Sequence, residues 1–193
     1  MAPALNKQST PRACLIGTSL IQDVDNKRLS HVVNVSKTIA YTIDDALRLR
    51  LEDIENELVI LQLTTNDLKV NSTEKVIKDM QYLVNKMLQA KQTCNIAILL
   101  APLQRTSGDI NNKIKTVNSS LEYLFRNSIR VRIHNNDNIN PNMDCYNSDG
   151  IHLNHKGSSM LANNIRTIIH QNFKINKGRR QMSWSPNTHY HDY

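Results

Sequence analysis

The sequence predicts an α/β protein, a three-layer α/β/α sandwich built around a five-stranded parallel sheet. Five short apolar runs recur along the chain, and amphipathic helical patterns lie between most of them. Strands of this kind that alternate with helices are typical of a parallel sheet covered on both faces. Since crossovers between parallel strands are right-handed, we expect the strand order 2-1-3-4-5.

The five predicted strands are short apolar runs bounded by polar or turn-forming residues. Runs of this length fit buried strands better than helices. In chain order they span residues 13–17 (ACLIG), 32–36 (VVNVS), 58–63 (LVILQL), 96–103 (IAILLAPL) and 129–133 (IRVRI).

The predicted helices place their apolar residues on one face at helical spacing. They span residues 42–55, 72–91, 109–127 and 156–173. At the start of the second helix, Asn71 and Glu74 have the spacing of an N-cap and its capping-box partner. Each of these helices therefore has one face that can cover the sheet.

The length of 193 residues predicts one domain with a substantial core. We expect this domain to span residues 12–173, with residues 1–11 as a disordered N-terminal segment and residues 174–193 as a basic, disordered tail. The net charge is +7, from 24 basic and 17 acidic residues. A nucleic-acid partner is one prediction for the basic tail.

Several classes of protein are disfavoured by composition. Three cysteines without paired spacing do not form a disulfide scaffold and fit a reducing compartment. No apolar run approaches the ~18 residues of a membrane span, and the N-terminus has no signal-peptide core, so we expect a cytoplasmic protein without a membrane partner. The glycines form neither a dinucleotide fingerprint nor a P-loop, and we predict no cofactor.

Polar residues follow the first and third predicted strands, at the sheet edge where open α/β proteins bind their ligands. Gly17 allows a tight turn after the first strand, and Ser19 then begins a short helix with its hydroxyl and backbone N–H exposed. Asn66 follows the third strand and offers a side-chain amide of the kind that binds an oxyanion.

An Asp-x-x-His sequence precedes the last predicted helix. The short spacing allows Asp149 to accept a hydrogen bond from His152 Nδ1, which leaves Nε2 free to take a proton from a serine. Each of these short motifs is common by itself. Together, in this order and at these positions, they predict a serine hydrolase site.

On these motifs the chain resembles the SGNH (GDSL-like) hydrolases, flavodoxin-like α/β enzymes that cleave esters. The blocks G-D-S, G-x-N-D and D-x-x-H of that family are matched by residues 17–19 (GTS), 64–67 (TTND) and 149–152 (DGIH). The resemblance implies that Ser19 is the nucleophile, His152 the base and Asp149 its orienting partner. It also implies that Asn66 and the Ser19 amide bind the oxyanion of a small ester substrate.

The chain departs from the family pattern at its glycines. Thr18 replaces the usual Asp, Thr64 replaces the glycine of the third block, and no glycine lies between Gly17 and Gly108 to match the second block. In that place the segment VSKTIA offers the amide of Lys37 or Thr38, of which we select Thr38, as the third oxyanion donor. Because one lost donor lowers the rate by roughly 10²–10³, we expect low activity.

Two classes of function remain open. The first is a serine esterase, and the second is a weakly active or inactive SGNH-like module that binds an acyl or anionic ligand. The chain is also similar to the esterase domains of animal retrotransposon-encoded proteins that bind RNA. A zinc site is a weaker alternative because no second ligand cluster accompanies the acidic, thiol and imidazole groups near His152, and we predict no metal.

Overall fold

The structure is a computed structural model that describes residues 9–50, 56–106 and 108–175. Five parallel strands form one sheet in the order β2-β1-β3-β4-β5, which confirms the predicted fold. The strands are β1 (Arg12–Gly17), β2 (Asn34–Ile39), β3 (Leu58–Gln62), β4 (Asn95–Leu99) and β5 (Val131–His134).

Helices follow or precede the strands as the alternating pattern predicts. They are α1 (Ile43–Leu47), α2 (Asp67–Val70), α3 (Thr73–Ala90), α4 (Gly108–Phe125) and α5 (His155–Asn172). Two 3₁₀ turns, at Ser19–Ile21 and Asn26–Arg28, lie between β1 and β2.

The sheet has a separate apolar core on each face. Alternate strand residues point to opposite faces, so Ile16 packs in one core and Leu15 in the other. The first core contains the buried faces of α1, α3 and α4, whereas the second contains that of α5. This arrangement gives the three layers and leaves the carboxyl edge of the sheet to the loops.

The boundaries of β2 differ from the prediction because pairing, not apolar content, decides where the strand lies. The predicted strand began at Val32, but Val32 is exposed, and pairing with β1 begins at Asn34 and continues to Ile39. β2 is an edge strand, so its polar residues Ser36 and Thr38 are tolerated there.

Two helix boundaries also differ. The first predicted helix, 42–55, ends at Leu47, and residues 51–55 lie outside the described residues. The N-cap of α3 is Ser72, whose hydroxyl accepts a hydrogen bond from Lys75 N at 3.3 Å. Asn71 is not the N-cap because it is the C-cap of the short helix α2. This helix was not predicted from the sequence.

Most of the predicted N-terminal segment and basic tail, residues 1–8 and 176–193, lies outside the described residues. Within the described ranges, no helix combines the length and apolarity needed to cross a membrane.

Candidate active site

The loop before α5 holds Asp149 and His152 in contact. Gly150 has a φ of +68°, a left-handed conformation that glycine adopts at little cost. The turn lets Asp149 Oδ1 accept hydrogen bonds from Ile151 N at 2.8 Å and His152 N at 2.9 Å. Asp149 Oδ2 lies 2.6 Å from His152 Nδ1.

These contacts determine the state of the pair. The hydrogen bond from His152, followed by the two backbone N–H groups, lowers the pKa of Asp149 to about 2. An ionised carboxylate can only accept a hydrogen bond, so His152 Nδ1 carries the proton and donates a hydrogen bond to Oδ2. In neutral His152 the unprotonated nitrogen is then Nε2, the form that a general base requires.

Ser19 begins the 3₁₀ turn that directly follows β1. Gly17 is required there because a Cβ at this position would lie 2.8 Å from the carbonyl oxygen of Gln62 on β3. Thr18 caps the turn, since its hydroxyl accepts from Leu20 N at 3.4 Å and donates to Gln62 Oε1 at 3.0 Å. The side chain of Ser19 is half-buried and remains available for chemistry.

The turn that carries Ser19 is held from outside by a lysine. Lys37 Nζ donates to the carbonyl oxygens of Gln22 at 2.7 Å and Val24 at 2.8 Å. A cation at the carboxyl end of a helical turn is favourable because the carbonyl groups there carry partial negative charge. Lys37 on β2 therefore fixes the path of the chain after the candidate nucleophile.

Asn66 lies between β3 and α2 with both ends of its amide engaged. Nδ2 donates to the carbonyl oxygen of Tyr41 at 3.1 Å, and Oδ1 accepts from Lys69 Nζ at 3.0 Å. These partners orient the amide, and they leave one Nδ2 hydrogen for a ligand.

The backbone before Asn66 is strained. Thr64 has a φ of +88° and is buried, although β-branched residues rarely adopt positive φ. This is the position where the SGNH pattern has glycine. The strain therefore lies where the sequence departs from that pattern.

A buried carboxylate links the loop after β2 to α2. Asp67 Oδ1 accepts from Ile43 N at 3.1 Å, while burial raises the pKa of Asp67. Its second oxygen, Oδ2, is buried and has no hydrogen-bond partner among the described residues. The contact fixes the start of α1 beside the loop that Asn66 also touches.

One pocket at the carboxyl edge brings together three of the residues singled out in the sequence: Ser19, Asn66 and His152. Asp149 supports His152 from the adjoining turn. The interior has room for about one water molecule (cavity volume about 10 Å³). The other residues of the wall are Leu20, Thr65, Pro102, Gln104, Tyr146 and Ile151.

Thr38 does not lie where the sequence placed it. Asn34 N and Ala40 N donate to carbonyl oxygens of Pro11 and Gly17, each at 2.9 Å. Because bonding alternates along a parallel strand, the Thr38 N–H points in the same direction, into the sheet. An N–H that bonds within the sheet is not available as the third oxyanion donor.

The loop that follows β2 offers a different amide. Ala40 N bonds to Gly17 O, and Thr42 N bonds to Asp45 Oδ2 at 3.0 Å. Between them, the Tyr41 N–H has no acceptor among the described residues, and the Tyr41 carbonyl is held by Asn66. Tyr41 does not itself line the pocket, but its contact with Asn66 makes its N–H the candidate backbone donor in place of that of Thr38.

Sequence reasoning singled out neither Gln104 nor Tyr146. The rule that ligands bind after strand ends did point to the segment after β4, but no motif marks Gln104. The Tyr146 hydroxyl donates to Leu103 O, and its pKa is raised by burial. Both residues enter the pocket wall through contacts between distant segments.

The groups considered for a metal do not assemble. Cys145 is fully buried, with its Sγ 3.5 Å from Met160 Sδ. Across the described part of the chain, no three His, Cys, Asp or Glu side chains are grouped so that they can hold a metal ion.

A family model described as GDSL-like lipase/acylhydrolase matches residues 10–165. A comparison with curated protein sequences found no match.

Solved structures with a similar fold include three esterases or lipases at low sequence identity. A carbohydrate acetylesterase from Sinorhizobium meliloti is 15% identical, with a TM-score of 0.65 over 83% of this chain and 99% of that chain. A carbohydrate esterase of family 3 from Talaromyces cellulolyticus is 14% identical, with a TM-score of 0.66 over 86% and 100%. A GDSL-like lipase from Bacteroides thetaiotaomicron is 17% identical, with a TM-score of 0.67 over 87% and 93%.

Proposed function

Because the chain belongs to the GDSL-like lipase/acylhydrolase family, we propose that it is a serine esterase that hydrolyses small acyl esters through an acyl-serine intermediate. The observation that carries this proposal is the pocket lined by Ser19, Asn66 and His152. The 2.6 Å contact between His152 Nδ1 and Asp149 Oδ2 supports it, since it leaves Nε2 of the neutral ring free to act as a base in the pocket that Ser19 also lines.

The first half-reaction acylates the serine. Ser19 Oγ attacks the ester carbonyl carbon while His152 Nε2 takes the hydroxyl proton. The carbonyl oxygen becomes an oxyanion that accepts hydrogen bonds from the Ser19 N–H, Asn66 Nδ2 and the Tyr41 N–H. The bond to the alcohol oxygen then breaks, and His152 gives its proton to the leaving alcohol.

The second half-reaction releases the acid. His152 takes a proton from water, and the resulting hydroxide attacks the acyl carbon. The same donors stabilise the second oxyanion. When the bond to Ser19 Oγ breaks, His152 returns the proton to Oγ. The acid is then released, and the free enzyme is regenerated.

The narrow interior of the pocket favours a short acyl group such as acetyl. An interior with room for about one water molecule holds a methyl group more readily than a long chain. The structural similarity to a carbohydrate acetylesterase from Sinorhizobium meliloti is consistent with this choice.

A second candidate function is an SGNH-like module that binds an acyl or anionic ligand without turnover. It is favoured by the glycine positions: Thr64 is strained at φ +88°, and the loop after β2 carries Tyr41 without any glycine. If these changes displace the oxyanion donors, the pocket binds esters but does not cleave them.

Labelling with a fluorophosphonate probe separates the two candidates, because the probe reacts only with an activated serine. Under the esterase proposal the wild-type protein is labelled and Ser19→Ala is not. Ser159→Ala is the matched control, since Ser159 is an α5 residue whose hydroxyl donates to His155 O at 2.8 Å, outside the pocket. Equal labelling of wild type and Ser19→Ala, or no labelling of either, would favour the binding module.

A further inference from the structure

Gln104 is a buried amide in the pocket wall to which the proposed chemistry assigns no role. It is 5% exposed, and it lines the same pocket as Ser19 and His152. Its Nε2 donates to no acceptor among the described residues. This atom is nevertheless not fully sealed from solvent. The small exposed area of Gln104 therefore includes an amide donor, and buried polar groups of this kind normally have a partner.

The position of Gln104 is fixed by other contacts. Its backbone N–H donates to Asn111 Oδ1 at 2.8 Å, and its carbonyl accepts from Asn111 Nδ2 at 2.7 Å. Its side-chain Oε1 accepts from Thr106 Oγ1 at 3.3 Å. With Oε1 engaged, Nε2 is the end of the amide left for a ligand.

Gln104 belongs to the side of the pocket where the alcohol part of an ester leaves. The next residue, Arg105, donates its N–H to Gly150 O at 2.8 Å, inside the turn that carries Asp149 and His152. His152 Nε2 must lie beside the leaving oxygen to protonate it. The acyl carbonyl, in contrast, belongs beside Asn66 and Ser19.

We infer that Gln104 Nε2 donates a hydrogen bond to a neutral oxygen on the alcohol part of the substrate, so that the enzyme prefers acetyl esters of hydroxylated alcohols such as polyols or sugars. This inference rests on the proposed esterase function. Apart from His152, every residue of the described pocket wall is uncharged, so the wall offers no ion pair for a phosphate or a cation. A polar donor is also a poor neighbour for a purely aliphatic alcohol.

The sharpest variant is Gln104→Met. Methionine keeps the length of the side chain and the backbone bonds to Asn111, and it removes the Nε2 donor without adding a charge; the Thr106 hydroxyl that loses its acceptor is exposed to solvent. Gln81→Met is the matched control, because it makes the same chemical change at an exposed position of α3. Glycerol monoacetate and propyl acetate form the substrate pair, since they share the acyl group and chain length and differ in their hydroxyl groups.

The measured quantity is the ratio of kcat/KM for glycerol monoacetate to that for propyl acetate, from acid release in a pH-stat. The ratio cancels effects that act equally on both esters. We expect Gln104→Met to lower it roughly tenfold, the loss of about one hydrogen bond, and Gln81→Met to leave it unchanged. An unchanged ratio in Gln104→Met would overturn the inference.

A binding experiment tests Gln104 without catalysis. In the Ser19→Ala background, ligand-observed NMR of glycerol monoacetate should show binding that Gln104→Met weakens about tenfold. If wild type cleaves neither ester but this difference is found, the esterase proposal fails and the recognition role of Gln104 stands. If wild type cleaves both esters and Gln104→Met binds as tightly as its Ser19→Ala parent, the recognition role fails alone.

Discussion

Replacing Asp149 by asparagine should almost abolish activity without unfolding the loop. Asp149 Oδ1 accepts from the N–H groups of Ile151 and His152, so the single oxygen of an asparagine is held at that position. Its NH₂ group then takes the place of Oδ2, 2.6 Å from His152 Nδ1. Two donors cannot face each other, so neutral His152 must carry its proton on Nε2, where it cannot act as a base.

The size of the effect follows from that tautomer. Loss of the correct imidazole form lowers turnover on the order of 10³–10⁴-fold in a serine hydrolase triad. The assay is kcat for p-nitrophenyl acetate together with the rate of fluorophosphonate labelling. Asp144→Asn is the control, since Asp144 Oδ1 only accepts a 3.4 Å bond from Asn154 Nδ2. If Asp149→Asn keeps more than about a tenth of wild-type turnover, the assigned role of Asp149 is wrong.

The pH dependence of the pair follows from the same contacts. The folded pKa of Asp149 is lowered to about 2 from 3.8, so its stabilising contribution is complete above the higher value and is lost as the pH falls toward the lower one. Asp149 therefore stays ionised above roughly pH 4, and any acid-side fall in activity above that pH arises elsewhere. A chemical-shift titration of the Asp149 carboxyl carbon, with a midpoint near 3.8 or higher, would contradict this.

Three further predictions concern the backbone around the site. At Thr64, with φ +88°, the glycine variant should be more stable than the alanine variant by about 1 kcal/mol in urea unfolding. At the control position Thr116 on helix α4, the alanine variant should be the more stable by a similar amount. The same order at both positions would show that Thr64 is not strained. Gly157→Ala would put a Cβ 2.1 Å from Cys145 O, so we expect it to destabilise the protein by about 3 kcal/mol, and a loss below about 1 kcal/mol would refute the close contact. Tyr41→Pro removes the candidate oxyanion N–H and should lower kcat for p-nitrophenyl acetate by roughly 10²–10³ with little change in KM. Tyr41→Ala keeps this N–H and should not lower kcat in this way. Equal rates for the two variants would show that Tyr41 is not an oxyanion donor.

Patterns within short segments determined much of the fold. Strand–helix alternation and the right-handed crossover were enough to predict the order β2-β1-β3-β4-β5. The contact between Asp149 and His152 was also predictable, because its partners are three positions apart and share one turn. In these cases the deciding interactions lie inside one segment or follow from a general rule of connection.

Strand boundaries and pocket walls required the tertiary structure. Apolar content placed the end of the second strand too early, because β2 is an edge strand whose length is decided by its register with β1. That shift moved the candidate amide from Thr38 to Tyr41. Short helix α2 likewise moved the cap of α3 to Ser72.

The sequence by itself determined the order of the elements, the family blocks and the choice of Ser19, Asn66 and His152 as candidate site residues. Only the tertiary structure decided that these three line one pocket and that Gln104 completes its wall. The physical reason is that the segment around Gln104 is held by the bond from Arg105 N to Gly150 O and by that from the Tyr146 hydroxyl to Leu103 O. Such contacts join segments that lie far apart in the chain, and no local pattern of residues records them.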